Sequence, residues 1–413
     1  MAGRAVVVGA GAVGVAAAYY LTVDGWQVTV VDRSDVGGGC SYANAGLITP
    51  SHAAPLPGPG VLPQVARWAL RPDSPVYVRP RPDPEFLRWG VRFVRACRAG
   101  AHHRGAQALR ALARWSLELY ESLPGSLREA FGYRRAGLLN VWVTDAGFGH
   151  AAAEADALQR EGYRVELLSS REARAREPAL GPRVAGALFV QDDAHGDCHA
   201  FVRALAQVVA DRGARVLTGV TVCGLAVHRG AVRGVEVSPG GLMPADVVVL
   251  AAGAWTPALL APVGIRLPVE PAKGYSATLT GYGGAPSAPV YVMERRVAIT
   301  PLPGRLRIGG TLELAGFVEG INAQRYRAVL DATRQALATP LPADGRAWAG
   351  FRPLTADGLP AIGPVPGVGG LYVATGHGTL GFTLAPGTGR LLADLVGGRA
   401  PRVSADPFRV DRF

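Results

Sequence analysis

The first 32 residues constrain this chain more than any other stretch. Residues 5–8 (AVVV) form an apolar run long enough for one buried strand. Gly9-Ala10-Gly11-Ala12-Val13-Gly14 follows at once, then an Ala-rich helical segment, then a second strand over 27–31 that ends at Asp32. A glycine pattern alone is a weak signal, but here it sits in the strand–turn–helix–strand context that a dinucleotide fingerprint requires. Gly9 allows the tight turn, Gly11 lets the backbone approach a pyrophosphate, and Gly14 lets helix and strand pack closely. Ala12 and Val13 open the helix, whose unpaired N–H groups and partial positive charge suit a diphosphate. Asp32 stands 21 residues after Gly11, where a carboxylate binds the ribose 2′-OH and repels a 2′-phosphate. The spacing predicts FAD or NAD and disfavours NADP. The bland alternative is a Gly-rich βα turn that binds nothing.

A length of 413 residues is ample for two domains, and 55 Gly and 32 Pro with 49% hydrophobic residues suit a large α/β enzyme rich in turns. No apolar run reaches the roughly 18 to 20 residues of a membrane span. No secretory leader is expected, because the phosphate-binding glycines interrupt the apolar N-terminal stretch. Cys40, Cys97, Cys198 and Cys223 form no CxxC pair and no metal-ligand cluster with histidine. No metal is therefore expected, and the thiols read as unpaired residues of a reducing, cytoplasmic compartment. The net charge is +11, yet 42 of the 43 basic residues are Arg and only Lys273 is Lys. That bias reads as genome composition. The arginines are scattered and no DNA or RNA recognition module is present, so no nucleic-acid partner is expected. A positive field still favours anionic substrates or an anionic membrane surface.

Along the chain, 50–63 is a Pro- and Gly-rich loop, and 85–98 and 107–123 have helical spacing. Residues 137–143 predict a strand, 147–161 and 200–212 helices, and 215–222, 232–237 and 246–250 three strands. From 273 to 312 the pattern turns β-rich, with strands over 275–279, 297–301 and 306–309. Residues 348 to 413 read as Gly-rich turns and a final helix. The expected fold class is α/β: a Rossmann-like FAD-binding domain (GxGxxG) with a second, mixed β-sheet substrate domain. The expected boundaries are 1–55 with 145–265 and 346–413 for the first, and 56–144 with 266–345 for the second. A cleft between domains is a usual place for a substrate site.

Four further segments look functional. The small residues of 40–48, among them Ser41, Asn44, Ala45, Gly46 and Leu47, would let backbone amides approach a flat ring; a plain surface loop is the rival. The second segment is a buried strand running into Ala252-Gly253-Ala254-Trp255. The third is 350–363, GFRPLTADGLPAIG. The fourth is the glycine loop Gly376-His377-Gly378-Thr379-Leu380-Gly381, feeding a helix near Thr383. NAD needs only the βαβ half-sites, whereas a long FAD with a buried ring needs such extra close-approach segments. A helix N-terminus near Thr383 would stabilise negative charge on a reduced flavin. FAD is the expected cofactor.

Taken together these segments resemble the D-amino-acid oxidase superfamily, most closely the bacterial D-amino-acid dehydrogenases of the small-subunit type. The resemblance runs from VVVGAGAVGV through SYANAGLITP, DDAHGDC, PAKGYS, AITP, RIGG and GFRPLTADGLPAIG to TGHGTLGFTLAPGTG and FRVDRF, essentially the whole chain. It implies that Arg352 binds the substrate α-carboxylate, which agrees with the bidentate geometry of a guanidinium. It places Asp32 and Arg33 at the ribose and adenine end, Val222 beside the adenine, and 376–383 under the flavin pyrimidine. Relatives often carry a carboxylate-binding tyrosine near 298–300, where this chain has Ala298-Ile299-Thr300. Tyr275 is the nearest substitute, with core packing as its rival. His52 departs from the dehydrogenase pattern and would either alter substrate preference or sit on a loop. His377 is expected to serve through its backbone position. Lys273, inside a cofactor-side motif, is a candidate for a water-mediated contact with flavin N5.

The reading implied is FAD-dependent oxidative deamination of D-amino acids to 2-oxo acids and ammonia, by hydride transfer to non-covalently bound flavin. The electron acceptor is then a quinone of the respiratory chain or O₂. The alternative within the fold is an O₂-using oxidase of glycine, D-proline-like imino acids or a secondary amine. A non-catalytic FAD-binding subunit is the reading from another class, and the Arg352 clamp argues against it. The resemblance also implies a cytoplasmic enzyme peripheral to the inner face of the cell membrane. The candidate surface is 61–98, where Trp68, Phe86, Trp89 and Phe93 alternate with Arg67, Arg71, Arg88, Arg92 and Arg95; the rival is a helical cover whose aromatics pack inward.

Overall fold

A computed structural model describes residues 3–69, 74–343 and 345–413. Its first sheet has six strands in the order Ala361–Pro364, Leu371–Thr375, Val247–Leu250, Arg4–Val8, Gln27–Val31, Arg215–Leu217. All neighbours are parallel except the first pair. Parallel strands need crossovers, and helix Ala12–Val23 supplies the first. This is the Rossmann-like half that the fingerprint predicts.

The second sheet has nine strands. Its path runs Arg346–Thr355, Val269–Thr280, Arg305–Leu314, Val297–Leu302, Val290–Val292, Leu138–Trp142, Gly186–Val190, Val165–Ser169, and Val76–Val78 pairs with Arg305–Leu314. The pairings are mixed, as expected for a substrate domain. The boundaries differ from the sequence reading. Val165–Ser169 and Gly186–Val190, expected in the 145–265 block of the first domain, join this second sheet, and so does Arg346–Thr355. The last was read as turns because Gly350 and Arg352 interrupt its apolar alternation. The single strand expected over 215–222 is two, broken at Gly219 in the left-handed region (φ 69°). Arg215–Leu217 edges the first sheet, and Thr221–His228 starts a separate three-stranded one. Likewise 147–161 divides into Asp145–Phe148 and Ala151–Arg160.

What sets the first domain's geometry is how closely two helices approach. Helix Ala12–Val23 is apolar all round and packs between the sheet and the C-terminal helix Gly381–Val396. A Cβ at Gly389 would lie 2.5 Å from the backbone carbon of Ala16, so only glycine permits the contact. The C-terminal helix also contains Pro386, which cannot donate to the Phe382 carbonyl one turn back. The long helix Ala99–Glu121 repairs the gap: Tyr120 Oη donates to that carbonyl at 2.6 Å, and Ser116 Oγ accepts from Gly387 N at 3.2 Å. Both side chains are fully buried.

Gly389→Val should therefore destabilise the protein by about 3 kcal/mol or more, since the overpacked atoms are backbone. Gly125→Ala, where no atom lies within 4 Å of the added carbon, is the control and should be nearly neutral. Denaturant unfolding of the two variants checks the contrast, and equal midpoints would contradict it.

Candidate active site

A cavity of about 860 Å³ runs between the two sheets. It is lined at one end by Gly9, Gly11, Ala12, Val13, Asp32, Arg33 and Val222, then by Ser41, Asn44, Ala45, Leu47, Ala252, Gly253 and Trp255. At the other end stand His52, Tyr275, Arg352, His377, Gly378, Thr379, Leu380, Gly381 and Thr383. Most of the sequence-predicted site is thus gathered on one void. Gly14, Gly46, Gly376 and Lys273 are not on its wall.

Both helix N-termini open on this cavity. Gly11 precedes helix Ala12–Val23 with no side-chain cap, although Ser41 Oγ accepts from Ala12 N at 3.0 Å. Leu380 precedes the C-terminal helix, also with no side-chain cap. Two sets of spare N–H groups and two positive dipole ends therefore meet in one void. Gly9 makes the turn that allows this, at φ 112°, with its would-be Cβ 2.5 Å from the Ala251 carbonyl. Asp32 closes the turn: Oδ2 accepts from Ala10 N at 2.7 Å and Oδ1 from Ser34 N at 2.8 Å. Each oxygen keeps a second lone pair for a ribose hydroxyl. Arg33 lies 4.2 Å over the Trp255 ring. The uncapped amides, the close-approach glycines and the length of the void fit an extended dinucleotide.

At the far end, strands Val269–Thr280 and Arg346–Thr355 run antiparallel with Ala272 opposite Arg352 and Gly274 opposite Gly350. Directly opposed residues share a face, and alternate residues change face. Gly274 and Ser276 therefore lie on Arg352's side, and Lys273 and Tyr275 on the other. The guanidinium crosses over Gly274, where a Cβ would lie 2.2 Å from Arg352 Cζ. Arg352 Nη1 donates to the Thr311 carbonyl at 2.6 Å. Enclosure presses its pKa downward. Among the described residues no carboxylate pairs with it.

The opposite face corrects two expectations. Tyr275 borders the cavity, but its hydroxyl donates to Glu313 Oε2 at 2.6 Å, behind the sheet. Lys273 Nζ lies 3.3 Å from Glu313 Oε1 and donates to the carbonyls of Val318 and Gly320. Neither head group faces Arg352, so Lys273 is no flavin contact and Tyr275 no carboxylate ligand. Glu313 is shared by the Lys273 ammonium, the Tyr275 hydroxyl and, at 3.9 Å, the buried Arg325 guanidinium.

The adjacent strand brings another tyrosine to the wall. Tyr291 pairs in register with Ala298, within the 298–300 stretch where the resemblance led to the expectation of a tyrosine, and it lines the cavity. Pattern reading passed over it because the pairing of strands Val290–Val292 and Val297–Leu302 is tertiary information. Its ring meets His52 edge-on, with centroids 5.0 Å apart. His52 Nε2 is 3.0 Å from Asn140 Oδ1, and burial lowers its pKa to about 4, so the imidazole is neutral. His377 is also neutral, lowered to about 3 by burial, with Nε2 on Thr388 Oγ1 at 3.0 Å. Arg307, another residue missed, donates to the carbonyls of Tyr42 and Asn44 and so holds the small-residue loop in place. The RIGG segment was its only signal.

Comparison with known proteins agrees with this geometry. A family model described as FAD dependent oxidoreductase (DAO) matches residues 4–395. The chain is 40% identical over 421 residues to a D-amino acid dehydrogenase of Xanthobacter autotrophicus, covering 99% of each chain. A D-amino acid dehydrogenase of Methylobacterium sp. is 39% identical with the same coverage. Among solved structures, glycine oxidase from Geobacillus kaustophilus superposes with a TM-score of 0.77 at 26% identity, covering 99% of this chain and 98% of that one.

The short turn Pro50–His52 that carries His52 hangs on a fully buried carboxylate. Asp193 accepts from Ser51 Oγ at 2.5 Å and from Ser51 N at 3.2 Å. Burial, with Asp192 nearby, raises its pKa from 3.8 to about 7. The folded state thus keeps a proton between pH 4 and 7 that the unfolded chain has lost, so this group's contribution to stability falls as pH rises through that window. Asp193→Asn should gain on the wild type between pH 5 and pH 8 in chemical denaturation. Parallel stability curves for the two proteins would contradict the assignment.

Proposed function

We propose that this chain, which belongs to the DAO family of FAD-dependent oxidoreductases, dehydrogenates D-amino acids to imino acids, which water hydrolyses to 2-oxo acids and ammonia. One observation carries the reading: an enclosed guanidinium, Arg352, faces the cavity with no carboxylate partner among the described residues. An enclosed cation without a counter-ion calls for an anionic ligand, and a planar fork matches a carboxylate in two hydrogen bonds. A flavoprotein that only stores its cofactor has no use for such a clamp.

The residues that would hold FAD are Gly11, Ala12 and Val13 at the diphosphate, Asp32 and Arg33 at the ribose and adenine, and 378–383 at the ring. Bound there, FAD supplies the hydride acceptor. The chain's own residues bind and orient. Arg352 and the Tyr291 hydroxyl take the α-carboxylate, which fixes the direction of the Cα–H bond. Position rather than acid–base chemistry is then the protein's contribution. His52 is neutral above pH 4 and bound to Asn140, and among the described residues no carboxylate lines this end. The substrate amine accordingly reacts as the free base. The same geometry supports non-covalent attachment of the flavin. His377 is committed to Thr388, and burial holds Cys40 and Cys198 as thiols, each with its pKa pushed up to about 12.

The dehydrogenase relatives support an acceptor other than O₂, and we place it at a membrane as a quinone. No helix among the described residues is long and apolar enough to cross a bilayer, so contact would be peripheral. The surface differs from the sequence expectation. Phe86, Trp89 and Phe93 of helix Pro84–Ala96 stack on one another and pack inward, and Trp89 Nε1 donates to the Leu354 carbonyl. Arg71 lies outside the described residues. The helix instead exposes Leu87, Val91 and Val94, one apolar stripe at helical spacing, beside Arg88, Arg92 and Arg95. An aliphatic stripe flanked by arginines suits an anionic bilayer surface.

Two measurements test these readings. Arg352→Ala should lower kcat/KM for D-amino acids by about 30- to several-thousand-fold, roughly 2 to 5 kcal/mol, with FAD retained. Gly274→Val should reproduce the loss, because its side chain displaces the same guanidinium. A change under about fivefold in both would remove the clamp. For the membrane, sedimentation with phosphatidylglycerol vesicles should show salt-sensitive binding that Leu87→Asp/Val91→Asp abolishes; binding indifferent to those substitutions would sink the assignment.

A further inference from the structure

The reaction end of the cavity carries a second cation that the proposed reaction does not use. Arg296 lines the void beside Tyr291 and His52. It sits in the turn joining Val290–Val292 to Val297–Leu302, with its backbone in the left-handed region at φ 51°. Its guanidinium lies 5.4 Å from the centre of the Trp68 ring. Among the described residues no acceptor or carboxylate pairs with it. Arg296, Tyr291 and Arg352 all line the void, and the charges of both arginines, opposed by that of Glu154, act on the Tyr291 phenol.

The charge inventory of the wall is one-sided. Asp32 is the only acid among its described residues, and it belongs to the nucleotide turn. A substrate's α-carboxylate satisfies one of the two arginines. An aliphatic side chain would leave the other without a counter-ion. A basic side chain would meet it as a like charge, and among the described residues of the wall no carboxylate at this end receives the incoming cation. A second carboxylate satisfies it.

We propose that Arg296 is a specificity-determining residue that receives a side-chain carboxylate, so that the preferred substrates are D-amino dicarboxylic acids, D-aspartate and D-glutamate. The proposal rests on the reading above, in which Arg352 holds the α-carboxylate. Trp68 supports the role through its cation–π contact with the guanidinium. Tyr291 lines the same end of the cavity as both arginines.

The test is anaerobic bleaching of the holoenzyme's flavin by D-aspartate, D-glutamate, D-alanine and D-lysine in turn. One of the two acids should exceed D-alanine in kcat/KM by about tenfold or more, and D-lysine should be the poorest of the four. Arg296→Asn suits the left-handed backbone better than arginine does. It should lower the acid-to-alanine ratio by about 30-fold, and Arg296→Lys, which keeps the charge, should lower it less. D-alanine ahead of both acids in the wild type overturns the proposal, whatever the variants do. So does a ratio unmoved in an FAD-loaded Arg296→Asn protein. Bleaching by none of the D-amino acids would instead overturn the parent reading.

Discussion

The contact between Gly389 and the backbone of Ala16 is the constraint on which the cavity depends. Two helices that approach at backbone distance cannot slide or splay without losing buried area along their whole length. One of them begins at the phosphate-binding turn and the other at the glycine loop, so their packing brings two positive helix ends to one void. Pro386 would loosen that arrangement by leaving the Phe382 carbonyl without its donor. The Tyr120 hydroxyl and Ser116 supply the missing partners from a third helix. Polar repair by a neighbouring element ties the long helix Ala99–Glu121 into the same unit.

The second sheet does a different job with one strand. Val269–Thr280 separates two chemistries by alternation alone. On one face Gly274 vanishes beneath the Arg352 guanidinium, leaving an enclosed positive charge open to the cavity. On the other, Lys273, Tyr275 and Arg325 converge on the buried carboxylate of Glu313. Moving this strand's pairing by one residue would exchange the faces, placing Lys273 under the arginine and the glycine in the core. The lone lysine of the chain is thus explained as a compact cation in a tight buried cluster, tethering the 318–320 backbone.

How much of this was legible in the sequence follows from how local each signal is. The fingerprint, Asp32, the 376–383 loop and Arg352 were readable because their chemistry is carried by residues adjacent in the chain. Tyr291 was not, since only the register of two strands places it opposite Ala298. Lys273 and Tyr275 were misassigned for the related reason that a motif lists neighbours in sequence, whereas a strand sends them alternately to two faces. Helix Pro84–Ala96 was recognised by its period, but sequence could not say which apolar residues turned inward. The aromatics did, taking the larger burial, and the aliphatics were left outside. Strand Arg346–Thr355 escaped because Gly350 and Arg352, retained for the site, spoil the pattern of a strand.

The electrostatics of the cavity unify these parts. Its acid lies in the nucleotide turn, where it answers backbone amides and ribose hydroxyls. Elsewhere the wall offers helix N-termini and guanidiniums, both of which favour anions. Burial removes the histidines from this account: His52 and His377 are neutral through the physiological range. Neither of these two histidines adds to the positive field, which Arg296, Arg352 and the two helix N-termini supply. A cofactor diphosphate and a substrate carboxylate are both drawn into it, while a protonated amine is opposed by the same field. Binding then lowers the amine's own pKa, because the positive field disfavours the ammonium form. In the proposed reaction the amine then arrives as the free base, and the absence of a carboxylate base from the described wall of the reaction end fits the charge distribution that would bind the substrate.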